Sequence, residues 1–180
     1  MKWFAGIKRK IGYFVLKRKV QSVKRKKQTH NLYTAKTVGI LFDATDDSNF
    51  REIRNLFTSL SQRGIRTFGL GYIDAKEISI NYVAVHGFHF ICKKDLTWYG
   101  LPNSPTSNVF INREYDILID LNINNCLPLD FITGMTKASF RVGVFGKNDK
   151  LYDFMIDISK NNRIVYLIEQ IKYYLTLLNN

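Results

Sequence analysis

The first 36 residues contain no aspartate and no glutamate. Lysine-rich codon usage would spread lysines along the chain, but it would not remove every carboxylate from one fifth of it. The absence therefore excludes an ordinary mixed-charge surface for this segment. Cysteine is scarce as well. Cys92 and Cys126 lie far apart with no C-x-x-C spacing, which excludes a disulfide framework. The three histidines, His30, His86 and His89, stand at no ligand spacing with them, so a four-ligand zinc site is excluded too. Both thiols read as buried and free, in a reducing compartment. No apolar run approaches the ~20 residues of a membrane-crossing helix. The longest uncharged run near the N-terminus, Ile11–Leu16, is shorter than the ~7–15-residue core of a signal peptide, and no small-residue cleavage site follows it. A cytoplasmic location is expected.

Glycine-rich phosphate loops are missing. Gly69 and Gly71 give a G-x-G, but inside a strand pattern and without a third glycine opening a helix. The segment after the first strand reads DATDDSN, whose three carboxylates repel phosphate. There is no Walker A lysine, no G-x-S-x-G elbow and no H-E-x-x-H pair. No nucleotide cofactor, metal or catalytic residue is expected from these patterns, and an enzymatic role is not favoured.

What the chain does have is segregated positive charge. Of its 27 lysines and arginines, twelve fall in residues 1–36, and the remaining fifteen face fifteen carboxylates in residues 37–180. The whole net charge of +12 thus resides in a leading arm ahead of a charge-balanced body. In residues 2–27 the basic clusters at 8–10, 17–19 and 24–27 alternate with apolar positions. One stripe is Trp3, Phe4, Ile7, Ile11, Phe14 and Val15; a neighbouring stripe is Tyr13, Leu16, Val20 and Val23. These spacings predict a basic amphipathic helix, followed by a linker over 28–36. The residues expected to meet phosphate are Lys8, Arg9, Lys10, Lys17, Arg18, Lys19, Lys24, Arg25, Lys26 and Lys27.

The body, residues 37–180, opens on the strand TVGILFDA (37–44), then Asp46 or Asp47 as a helix cap, a helix with Phe50, Ile53, Leu56, Phe57 and Leu60 at a 3.6 period, Gly64 as its stop, and the strand RTFGLGYI (66–73). This βαβ unit predicts parallel strands and a right-handed crossover. Further strands are expected at 87–93, 115–121, 140–145 and 152–158, and helices at 126–138 and 162–178, with 94–113 a loop. The order predicts a three-layer α/β domain, Rossmann-like or flavodoxin-like, with a mostly parallel sheet. At the carboxyl ends of its strands Asp43, Asp74, Asp120 and Lys147 could line one rim. As metal ligands or an acid–base pair they would make a site; as turn and cap residues they need no function.

Across Tyr115–Gly143, YDILIDLNINNCLPLDFITGMTKASFRVG, the chain resembles an uncharacterised domain family of Bacteroidetes, and the likeness extends to the basic start and the TVGILFDATD strand. The same segment is similar, over a short stretch, to the N-terminal half of heptosyltransferase-type glycosyltransferases. That likeness implies a fold and no activity. The function expected is a non-enzymatic RNA-binding protein, ribosome-associated or engaged in ribosome assembly, docking through the arm. The alternatives are a peripheral protein of an anionic membrane surface, and a degenerate glycosyltransferase-like domain completed by a partner. The body is expected to offer a surface to another protein.

Overall fold

A computed structural model describes residues 2–79 and 85–178, with the side chains of residues 2–5 and 47 outside that description. Among the described residues the sheet has six strands: β1 (Thr37–Asp43), β2 (Arg66–Ile73), β3 (Phe88–Cys92), β4 (Ile117–Asp120), β5 (Phe140–Val144) and β6 (Phe154–Ile156). Their order is β3-β2-β1-β4-β5-β6, and every pairing is parallel. The sheet is therefore wholly parallel. Its order is that of the doubly wound dinucleotide-binding folds and not the flavodoxin order, so the first of the two expected architectures holds.

The helices are α1 (Lys2–Gln21), α2 (Phe50–Gln62), α3 (Pro105–Asn112), α4 (Leu127–Met135) and α5 (Ile164–Leu177). Alternation along β1 decides the layers. Val38, Ile40 and Phe42 face Ile53, Leu56 and Leu60 of α2 and Leu167, Ile171 and Leu175 of α5. Leu41, with Leu70 and Leu118, faces Phe110 of α3 and Leu129 and Ile132 of α4. Strands buried on both faces need continuous apolar sequence, which is what TVGILFD supplies.

Two expectations about local structure are corrected. Residues 94–113 are not simply a loop, because α3 starts there. Ser104 caps it by accepting from the Ser107 N–H, and Pro105 occupies its first turn, where a missing N–H costs nothing. Asp46 does not cap α2, and the side chain of Asp47 lies outside the described residues. A 3₁₀ turn at Asp47–Asn49 precedes that helix, its cap position is Asn49, and Asp46 accepts from the Ser48 N–H instead.

The arm helix stops at Gln21 rather than reaching residue 27. It lies on the outer side of α4, with Leu16 in a cluster with Leu101, Leu127 and Phe131, and Tyr13 and Val20 packed at its edge. The inward face is thus drawn mainly from the second of the two stripes read from the sequence, joined by Val15 of the first. From the first stripe, Ile7 and Phe14 point to solvent, while the side chains of Trp3 and Phe4 lie outside the described residues. The close approach depends on two glycines. A Cβ on Gly12 would stand 2.5 Å from the Tyr99 carbonyl oxygen, and one on Gly134 would stand 2.4 Å from Val20. Residues 28–36, expected as a linker, put Leu32 and Ala35 into the main core. Among the described residues no helix is long and apolar enough to cross a membrane.

Candidate nucleic-acid interface

In an all-parallel sheet every strand begins at the same edge. Lys36 precedes β1, Arg66 opens β2, and Arg113 and Lys137 stand just ahead of β4 and β5. The chain from the end of α1 runs to this edge, where the Gln28 N–H donates to the Ser139 carbonyl (3.1 Å). Lys24 and Lys26 thereby join the other four around a groove of about 680 Å³ floored by Phe68 and Tyr115. All six cations are exposed. Two carboxylates share the groove, Glu114 and Asp116. Asp116 is already engaged, accepting from the backbone N–H groups of Lys36 (2.7 Å) and Thr37 (3.0 Å). Six cations against two carboxylates leave the groove net positive.

From this groove the positive charge continues up α1. Lys8, Arg9, Lys10, Lys17, Arg18 and Lys19 are exposed. Arg9 stacks over the Tyr13 ring (5.7 Å) and Lys19 over Phe131 (5.6 Å), contacts that hold a cation in place without neutralising it. Arg9 and Tyr13 reach the loops at the carboxyl ends of β4 and β5, beside Asn125 and Lys147. The basic strip thus spans the domain from one edge of the sheet to the other.

One predicted phosphate contact is not available. Arg25 turns inward, its side chain 8% exposed, and makes two hydrogen bonds to the Asp153 carboxylate (2.5 and 2.6 Å) and one to the Ala138 carbonyl (3.0 Å). Burial alone would raise the Asp153 carboxyl. Arg25, the Arg141 N–H and Lys27 together hold it below the usual carboxylate range. Lys27 shares this carboxylate at 3.1 Å while remaining mostly exposed. Sequence reading took Arg25 as one more charge in a cluster, because nothing local marks which member of KRKK turns inward.

Arg66, Arg113 and Lys137 were missed, and Lys36 was counted only as arm charge. A signal for them existed. Basic residues recur at the starts of four predicted strands, and a parallel sheet gathers strand starts at one edge.

At the opposite edge, the rim that Asp43, Asp74, Asp120 and Lys147 could have lined does not assemble. Among the described residues no three His, Cys, Asp or Glu side chains converge on a metal position. Asp43 accepts from the Thr45 N–H (2.9 Å) as a turn residue. Asp74 accepts from the Tyr72 hydroxyl (2.9 Å) and pairs with Lys93 (3.0 Å). Asp120 is buried, accepts from the Tyr152 hydroxyl (2.6 Å) and lies 3.8 Å from Lys147, whose ammonium donates to the Asn122 carbonyl (2.7 Å). Of the four rim residues, only Asp120 and Lys147 come together. Nearby, fully buried Asp130 accepts weakly from the Tyr13 hydroxyl (3.4 Å). Burial, with Lys147 opposing and Asp120 reinforcing, raises its carboxyl to about 6. Cys92 and Cys126 are free thiols, and burial pushes Cys126 up to about 12.

Fold and surface together define a three-layer α/β protein with a doubly wound, all-parallel sheet and a continuous basic strip ending in a groove. The chain belongs to DUF6913, a family of unknown function whose sequence pattern matches residues 8–178. The match takes in most of α1 along with the sheet. No curated protein and no solved structure matches the chain.

Proposed function

We propose that this is a non-enzymatic RNA-binding protein whose interface is the basic strip of α1 together with the groove at the amino edge of the sheet. The observation that carries the reading is the convergence of Lys24, Lys26, Lys36, Arg66, Arg113 and Lys137 on one concavity, from segments far apart in sequence. A solubilising surface has no reason to concentrate its cations in a groove. A phosphate backbone gains from such a groove through several simultaneous contacts and the counterions they release. Ribosomal RNA, met on the ribosome or during its assembly, is the ligand class we favour, because a strip spanning the domain suits a structured polyanion better than a single phosphate group.

The test is binding of labelled RNA by the full chain and by a Lys24→Glu/Lys26→Glu/Lys137→Glu variant. These side chains are exposed, so the variant should fold, with an unchanged circular-dichroism spectrum. A loss of affinity of at least about tenfold is expected for three lost phosphate contacts. Unchanged affinity would end the proposal.

A second reading has its own support. Ile7 and Phe14 project from the side of α1 turned away from α4, among Lys8, Lys10, Lys17 and Arg18. Apolar side chains ringed by lysines are what an interfacial helix offers an anionic bilayer. Flotation with phosphatidylserine vesicles separates the two. A membrane protein rises with the vesicles despite RNase and loses that ability on Phe14→Ser substitution. A degenerate glycosyltransferase-like role has less support, since the residues at the strands' carboxyl ends are engaged with one another or in turns.

A further inference from the structure

Next to the basic groove lies a smaller recess of about 240 Å³, walled by Phe68, His89, Pro105, Val109, Phe110 and Arg113. Phe68 and Arg113 line both cavities. The Arg113 guanidinium lies 3.8 Å from the centre of the Phe68 ring, forming a partition between a charged compartment and an apolar one. On the apolar side Val109, on α3, is 60% exposed although it is a β-branched aliphatic on a short helix. His89 stands at the rim, on the edge strand β3, with its ring exposed.

We propose that this recess receives one base of single-stranded RNA whose phosphates lie in the adjoining groove. The inference rests on the RNA reading above and deepens it by naming the form of the nucleic acid. Phosphates alone would need only the charged compartment. An apolar slot opening beside it, and sharing an arginine stacked on a ring, matches the two halves of a nucleotide. The guanidinium plane and aromatic ring give a flat partner for a base, and Val109 and Pro105 give the opposite wall. In a duplex the bases are already stacked and paired, so this slot would stay unused. His89 can meet the base edge from the rim with either ring nitrogen.

The experiment compares a labelled oligouridylate, the same sequence in duplex form, and inorganic polyphosphate, each at the same low salt, on the full chain. The single strand should bind about tenfold more tightly than the duplex, the contribution of one stacked base. Val109→Lys is the discriminating variant. It adds a positive charge at an exposed helical position, so it should fold and should strengthen any purely electrostatic binding. It also removes the apolar wall and crowds the slot. The expected result is an oligouridylate affinity lowered about tenfold with polyphosphate binding equal or tighter. In parallel, 4-thiouridine crosslinking should map to Phe68, His89 or residues 105–113. If Val109→Lys tightens both ligands together, or the crosslinks fall elsewhere, the slot holds no base although the groove reading survives. If the unmodified protein binds none of the three, both proposals fall.

Discussion

Asp130 illustrates how one side chain sets a pH dependence. It is buried on α4 beneath α1, and its carboxyl titrates near 6 because ionising it there forfeits hydration that the weak Tyr13 contact does not replace. An aspartate whose folded value lies above its unfolded one costs stability in the ionised range. The penalty is absent below about pH 4, grows as pH rises through 6, and is then constant at roughly 3 kcal/mol. Asp130→Asn should therefore raise the melting temperature at pH 8 and leave it nearly unchanged at pH 4. Thermal melts at the two pH values check this. Equal effects at both would assign the change to packing. Asp153 runs the opposite way. Its carboxyl is held low by Arg25 and its neighbours, so its contribution is present at neutral pH and is lost on acidification.

The arm is where element-scale forces compete. An isolated helix of this charge would repel itself, and its glycines lower its propensity. It is ordered because Leu16 and its neighbours bury against α4 and because Arg25 locks the chain that follows to Asp153. Gly12→Ala tests the first contact. Intrinsic propensity predicts a gain of about 1 kcal/mol. The added Cβ, however, would meet a backbone oxygen that cannot rotate away. A net loss of stability in urea denaturation is expected, whereas Gly6→Ala, with open space around it, should be neutral or stabilising. Arg25→Met tests the second contact. It leaves a largely buried carboxylate with only the Arg141 N–H and an exposed lysine as partners, and should cost about 3 kcal/mol. The same substitution should leave RNA affinity nearly unchanged once the protein is folded, which separates Arg25 from its three exposed neighbours.

For the whole molecule, charge and fold are interdependent. Removing residues 1–36 would delete the whole net positive charge, but it would also uncover Leu101, Leu127 and Phe131 and take Leu32 and Ala35 out of the core. Such a truncation should aggregate, so charge reversal in place is the cleaner probe of binding. With about six single-strand phosphates neutralised at the groove, log K should fall against log salt with a slope of roughly −4. A titration of oligouridylate affinity across salt concentrations measures it. A slope near zero would contradict a phosphate interface of this size.

Some of this was determined by the sequence alone. The charge segregation is a fact of residue order. The strands β1 and β2, helix α2 between them and helix α5 follow from periods and punctuation that act over a few residues. Other features required the tertiary structure. Which residues of α1 face inward could not be read locally, because both stripes are apolar and the choice depends on the fit of Gly12 and Gly134 at the contact with α4. Arg25 was indistinguishable from Lys24 and Lys26 until the fold brought up Asp153, 128 residues away. The groove itself exists only because parallel pairing carries the starts of β1, β2, β4 and β5 to one edge. Local forces fix the type of each element, but the meeting of distant side chains depends on strand order, which is decided by burial summed over the whole chain.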